Sequence, residues 1–82
     1  MTELVDVIVP RWGMAMTEAT LAALLVKVGD HVEAGTPLFE LQTDKVTQEV
    51  PAPIAGVVVE IQAEFDADLP VGTVVMRIRG DT

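Results

Sequence analysis

Short alternations of apolar and polar residues recur along the chain, separated by glycine, proline and aspartate. Val5-Asp6-Val7-Ile8-Val9 alternates and is β-branched, which predicts a strand ending at Pro10. Residues 38–50 read as two strands joined at Asp44-Lys45. Counting outward from that pair sets Thr43 against Val46, Leu41 against Gln48 and Phe39 against Val50. One face of the ribbon is then mostly apolar, with Phe39, Leu41, Val46 and Val50. The other carries Glu40, Gln42, Thr47 and Glu49. This period of two predicts a half-buried hairpin. Residues 57–61 and 74–78 read as further strands.

Residues 17–28 are ambiguous by themselves. Their composition favours a helix, and apolar residues at 21, 24, 25 and 28 fit a helical stripe. An internal repeat decides against it. Gly35-Thr36 matches Gly72-Thr73, Val32 matches Leu69 and Gly29 matches Asp66, always 37 residues apart. Aspartate is among the few residues besides glycine that tolerate a left-handed backbone, so Gly29 and Asp66 can serve the same turn. The same offset lays residues 21–28 over 58–65, and residues 57–61 are plainly strand. Residues 19–26 are therefore expected to be strand, against their local propensity. Pro51 and Pro53 stiffen a corner and cannot sit in a central ladder. Six or more short strands in two similar halves predict an all-β sandwich or flattened barrel.

Composition narrows the function. Eighty-two residues make one small domain, half of them hydrophobic, with only Trp12, Phe39 and Phe65 as aromatics. Thirteen acidic against five basic residues give a net charge of −8. Such a surface repels nucleic-acid phosphates and anionic membranes. It suits contact with basic patches on proteins. With no cysteine, disulfides and thiolate metal sites are excluded. Met1-Thr2-Glu3 opens no signal-type run, and the longest apolar stretch, residues 21–26, is too short to span a bilayer.

Two stretches stand out chemically. The hairpin turn lifts one lysine, Lys45, to a tip without the glycine that tight two-residue turns favour. A type I turn centred on Asp44 and Lys45 tolerates these residues better. Asp44 either shapes the turn or is read by a modifying enzyme. Glu40 and Glu49 face each other on the solvent side, where like charges cost stability, so partner recognition is one reason for them. The second stretch, residues 11–16, is unusually apolar for a loop. It either covers the barrel end or meets a partner. His31, the only histidine, lies in a turn with no nucleophile near it in sequence and reads as solvated surface.

Gly29-Asp30-His31-Val32-Glu33-Ala34-Gly35, then Leu38-Phe39-Glu40-Leu41-Gln42-Thr43-Asp44-Lys45-Val46, then Glu49-Val50-Pro51-Ala52-Pro53 and Gly56-Val57-Val58 together resemble the lipoyl domain. This is the carrier domain of dihydrolipoamide acyltransferases in 2-oxo acid and acetoin dehydrogenase complexes. The opening Pro10-Arg11-Trp12-Gly13-Met14-Ala15-Met16-Thr17-Glu18 looks like the family's start. The resemblance covers nearly the whole chain, and Thr43-Asp44-Lys45-Val46 with its spaced flanks is its specific part. Three departures lie away from the hairpin. Ala19 stands where the family usually has glycine, Leu24-Leu25 where tryptophan is common, and Asp66-Ala67 replaces the second Gly-Asp.

The resemblance implies a flattened barrel of two four-stranded antiparallel sheets with pseudo-two-fold symmetry over residues 1–80, followed by the start of a linker or tail. It implies lipoic acid on Lys45 through an amide, put there by a lipoate ligase or lipoyl transferase. Thr43, Asp44, Val46, Glu40 and Glu49 become the turn and recognition residues. The implied partners are a thiamine-diphosphate decarboxylase, an acyltransferase core and dihydrolipoyl dehydrogenase. The domain is then a carrier without catalysis of its own, monomeric in isolation, cut from a longer acyltransferase. Its implied location is the bacterial cytoplasm, or the mitochondrial matrix for a processed eukaryotic protein. A biotin carrier shares the fold and the hairpin lysine, but normally has methionine on both sides; here the flanks are Asp44 and Val46. A glycine-cleavage carrier is longer, with extra helices. An inert structural β-module leaves the placing of Lys45 unexplained.

Overall fold

The computed structural model describes residues 3–11, 16–44 and 46–80. Among them are eight strands and no helix: β1 (Leu4–Ile8), β2 (Glu18–Leu24), β3 (His31–Val32), β4 (Pro37–Gln42), β5 (Thr47–Pro51), β6 (Gly56–Ile61), β7 (Asp68–Pro70) and β8 (Val74–Gly80). They form two four-stranded antiparallel sheets, ordered β1-β8-β6-β3 and β5-β4-β2-β7. Phe39, Leu21, Leu41, Met76, Ile78 and Val58 are fully buried in the core, and among the described residues no polar or charged residue is buried with them.

The helix-like segment is a strand, as the repeat requires. β2 begins one residue earlier than expected and ends two earlier, at Leu24. Isolated propensity loses because β2 lies between β4 and β7, and both ladders satisfy its backbone. β1 stops at Ile8 rather than Val9. Val9 nonetheless stays fully buried, with its N–H bonded to the Thr73 carbonyl at 2.9 Å. Pro51 ends β5, an edge strand, where a missing donor costs little.

The two halves repeat in register, not only in sequence. Leu21↔Leu41, Ala23↔Glu40 and Leu24↔Phe39 in one sheet match Val58↔Ile78, Glu60↔Arg77 and Ile61↔Met76 in the other. Each ladder carries its irregularity at the same place, between Leu21 and Ala23 and between Val58 and Glu60. The turns match as well. Gly29 donates to the Val58 carbonyl at 2.7 Å, and Asp66 donates to the Leu21 carbonyl at 2.8 Å. Gly29 has φ 99° and Asp66 φ 69°, the one positive φ outside glycine among the described residues. Aspartate thus takes the left-handed turn that glycine takes in the first half.

The hairpin turn at Thr43 and Val46 lies at the opposite end of the barrel from Glu3 and Gly80, the outermost described residues. Leu4 pairs with Arg79, and the Gly80 N–H reaches the Glu3 carbonyl. At the far end, Val71 donates to Thr17 at 3.0 Å and Gly72 donates to Val9 at 2.9 Å. Thr17 leads into β2 at Glu18, and Thr20 pairs with Gln42, the last strand residue before the tip.

Candidate functional site

The hairpin pairs as expected: Phe39↔Val50, Glu40↔Glu49, Leu41↔Gln48 and Gln42↔Thr47. The buried faces of Phe39, Leu41 and Val50 hold the ribbon on the core. Their register decides which residues arrive at the turn, since a one-residue slip would reverse both faces.

Beyond Gln42 and Thr47, Thr43 ties the tip. Its N–H donates to the Val46 carbonyl at 2.8 Å. Its hydroxyl accepts from the Val46 N–H and donates to the Val46 carbonyl, each at 3.3 Å. A β-branched threonine is stiff at χ1, so these bonds restrict the turn without glycine. Asp44 is exposed. Lys45 itself, and Trp12 and Met14 of the apolar loop, lie outside the described residues. Met16 is half-buried and packs against the core.

One expectation fails. Val46 was placed on the apolar face, yet it is 42% exposed. Gln48, opposite buried Leu41, is exposed too. Both belong to the outer limb of the hairpin, and β5 is an edge strand. Their inward positions lie at the barrel rim, where the second sheet does not cover them. Val46 therefore flanks the lysine as an exposed apolar side chain.

Glu40 and Glu49 sit opposite each other, as the sequence register required. Glu40 is half-buried and Glu49 exposed. The strands of this sheet also carry Glu18 and Asp68 and no lysine or arginine. His31 is exposed, with Nδ1 3.9 Å from a Glu33 carboxylate oxygen. Among the described residues no group of three His, Cys, Asp or Glu side chains could hold a metal ion. A shallow surface depression lined by Leu24, Leu25, Val26, Lys27 and Asp30 lies at the end of β2 away from the tip.

The departure at Ala19 fits the geometry. A Cβ at its repeat mate, Gly56, would stand 2.1 Å from the Arg79 carbonyl oxygen. There the β6–β8 ladder continues to Gly56↔Gly80, whereas the β2–β4 ladder stops at Thr20↔Gln42. The opening toward the hairpin tip leaves Ala19 room for its methyl group, which is buried.

Two quasi-equivalent sheets presenting one tied hairpin define a carrier-type β-barrel. The chain belongs to the biotin/lipoyl family, whose model, described as "Biotin-requiring enzyme", matches residues 5–78. It is 48% identical over 73 residues to the dihydrolipoyllysine-residue acetyltransferase component of the pyruvate dehydrogenase complex of Corynebacterium glutamicum, covering 89% of this chain and 11% of that protein. It is 48% identical over 59 residues to the dihydrolipoyllysine-residue succinyltransferase component of the 2-oxoglutarate dehydrogenase complex of Bartonella vinsonii, covering 72% of this chain and 14% of that protein. The chain thus spans a small fraction of these relatives' length. Its fold matches the solution structure of the lipoyl domain of the 2-oxoglutarate dehydrogenase complex from Azotobacter vinelandii, with TM-score 0.75 and 25% identity over 94% of this chain and 96% of that one. Within its family the chain is homologous to lipoyl domains.

Proposed function

We propose that Lys45 carries a lipoyl group in amide linkage and that the domain is the swinging-arm carrier of a 2-oxo acid or acetoin dehydrogenase complex. The observation that carries this reading is the Thr43-tied turn, at the end of a lipoyl-type barrel away from Glu3 and Gly80. The residues fit the group. Asp44 and Val46, on either side of position 45, are both exposed, so a long arm starting there leaves into solvent. When bound, the group supplies a dithiolane that takes up an acyl unit reductively and gives it up to coenzyme A.

The chain's own residues supply display. The buried faces of β4 and β5 fix where the ribbon ends, and Thr43 fixes the turn. Asp44 shapes the turn for the ligase, and Val46 gives it an apolar flank to read. The acyl donor is a thiamine-diphosphate decarboxylase, the acceptor an acyltransferase core, and dihydrolipoyl dehydrogenase restores the oxidised arm. The domain itself carries and does not catalyse. Tethering by a short flexible linker makes each transfer intramolecular, at an effective concentration on the order of millimolar. The compartment is one where these enzymes meet, the bacterial cytoplasm or the mitochondrial matrix.

Co-expression with a lipoate ligase is expected to raise the intact mass by one lipoyl group, and Lys45→Arg to abolish that shift completely. Retention of the group in Lys45→Arg, or biotin on Lys45 in its place, would sink the assignment.

A further inference from the structure

The repeat gives the hairpin turn a counterpart at the other end of the barrel. The offset that sets Gly29 on Asp66 also sets Thr43 on Gly80. Across the ladders, Gln42↔Thr47 matches Arg79↔Leu4, so Val46, the next residue outward, matches Glu3. Both places make the same backbone contact. The Thr43 N–H donates to the Val46 carbonyl at 2.8 Å, and the Gly80 N–H donates to the Glu3 carbonyl at 2.6 Å. This closing rung therefore forms with or without a side chain at the position.

The two places differ in what is added to the rung. At Gly80 a side chain has little room, since a Cβ would stand 3.0 Å from Ile54 Cδ1. At Thr43 the side chain is present and half-buried. Its hydroxyl accepts from the Val46 N–H and donates to the Val46 carbonyl, each at 3.3 Å. These two bonds are what the hairpin turn has and its counterpart lacks. They close a loop whose inner members are Asp44 and Lys45. Packing does not hold the far side of that loop, because the Val46 side chain is 42% exposed. The β-branch of Thr43 restricts its χ1, so the hydroxyl meets both backbone groups of Val46 from a preset direction.

We propose that the Thr43 hydroxyl is a positioning group for the acylation of Lys45. By bonding both backbone groups of Val46 it holds the turn in the form from which the lysine is presented to the attaching ligase. In that reaction the neutral Lys45 amine attacks the carbonyl carbon of a lipoyl–phosphate mixed anhydride. The C–N bond forms as the C–O bond to the phosphate breaks. The phosphate leaves with the bonding pair, and the nitrogen gives up one proton. The rate of such a step depends on how often the amine arrives in line with the carbonyl, and a turn tied at both ends raises that frequency. The proposal rests on the carrier reading above and adds to it the group that presents the lysine.

The test uses the whole domain with lipoate, ATP and a lipoate ligase. Thr43→Val keeps the shape and the β-branch and removes the hydroxyl, whereas Thr43→Ser keeps the hydroxyl. Thr43→Val is expected to melt with wild type and to exchange the Val46 amide hydrogen roughly tenfold faster. Its lipoylation should lose roughly fivefold in kcat at an unchanged KM for the domain, the size of one hydrogen bond. Thr43→Ser should recover kcat to within about twofold of wild type. Thr43→Val lipoylated with a kcat within about twofold of wild type overturns the positioning role and leaves the carrier reading intact. Equal losses in Thr43→Val and Thr43→Ser overturn it too, because the hydroxyl is then not the cause. A loss confined to KM overturns it in favour of direct docking at Thr43. A Thr43→Val domain that melts well below wild type, or does not fold, overturns it in favour of a hydroxyl that holds the barrel. A wild-type domain that takes no lipoyl group overturns the carrier reading and the positioning role with it.

Discussion

Asp6–Arg77–Glu60 and Glu49–Glu40–Ala23 occupy equivalent rows of two sheets that share strand order, register and bulge position. Inside the barrel the equivalent residues remain alike: Phe39 matches Met76, Leu41 matches Ile78 and Leu21 matches Val58, all fully buried. Outside, the two rows have opposite character. One closes on itself, and Arg77's pKa is raised, chiefly by its hydrogen bond and charge interaction with Asp6 and then by Glu60. A raised cation keeps its contribution below its unfolded pKa and loses it only as pH climbs through the folded value. Arg77 therefore stays charged far into the alkaline range. The other row leaves two like charges opposed. Packing constrains the inner positions of a duplicated fold and leaves the outer ones free to diverge. The sheet that carries the hairpin is the one whose outer row is left open.

Substitutions that swap features between the sheets test how deep this equivalence runs. Gly56→Ala should have the largest effect, at roughly 3 kcal/mol of destabilisation, because its methyl meets the Arg79 backbone. The mirror change Ala19→Gly should cost only about 1 kcal/mol for lost burial and added chain entropy. Equal losses in thermal or urea unfolding would mean that the two ladders do not differ at this rung. The turns come next. Gly29→Asp copies its mate Asp66 and should cost below about 1 kcal/mol, while Gly29→Val forces a β-branched residue into a left-handed turn at about 2 kcal/mol or more. Similar melting of the two variants would break the turn equivalence. The smallest effect belongs to the outer rows. Glu40→Gln should stabilise by up to about 1 kcal/mol by relieving the Glu40–Glu49 opposition, whereas Glu60→Gln should destabilise by weakening its contact with Arg77. The same sign for both would erase the electrostatic contrast between the sheets.

Much of this was legible along the chain. The hairpin pairing follows from counting outward from Asp44-Lys45, because turn and alternation are local. The match of Gly29 to Asp66 followed from spacing, and both take positive φ. The strand nature of residues 18–24 was legible only through the repeat, since their own composition points to a helix. The proposal that Lys45 carries the lipoyl group came from its flanking motif. Val46 was misplaced, because alternation assigns a face to a residue but does not say whether another layer covers that face.

Local pattern therefore determined β1, β4, β5, β6 and β8, the turns at Gly29 and Asp66 and the hairpin register, and the repeat determined β2. These depend on backbone preference and on a period of two, which neighbouring residues set between themselves. Tertiary structure alone decided which strands share a sheet, which rim is left uncovered and what each outer row contains. Asp6 and Arg77 are 71 residues apart and meet only because β1 lies beside β8. Glu40 lacks such a partner for the same reason in reverse: β5 and β2 bring Glu49 and Ala23 to its sides. Cross-strand neighbours are chosen by folding, and charge pairing on a sheet is a property of those neighbours.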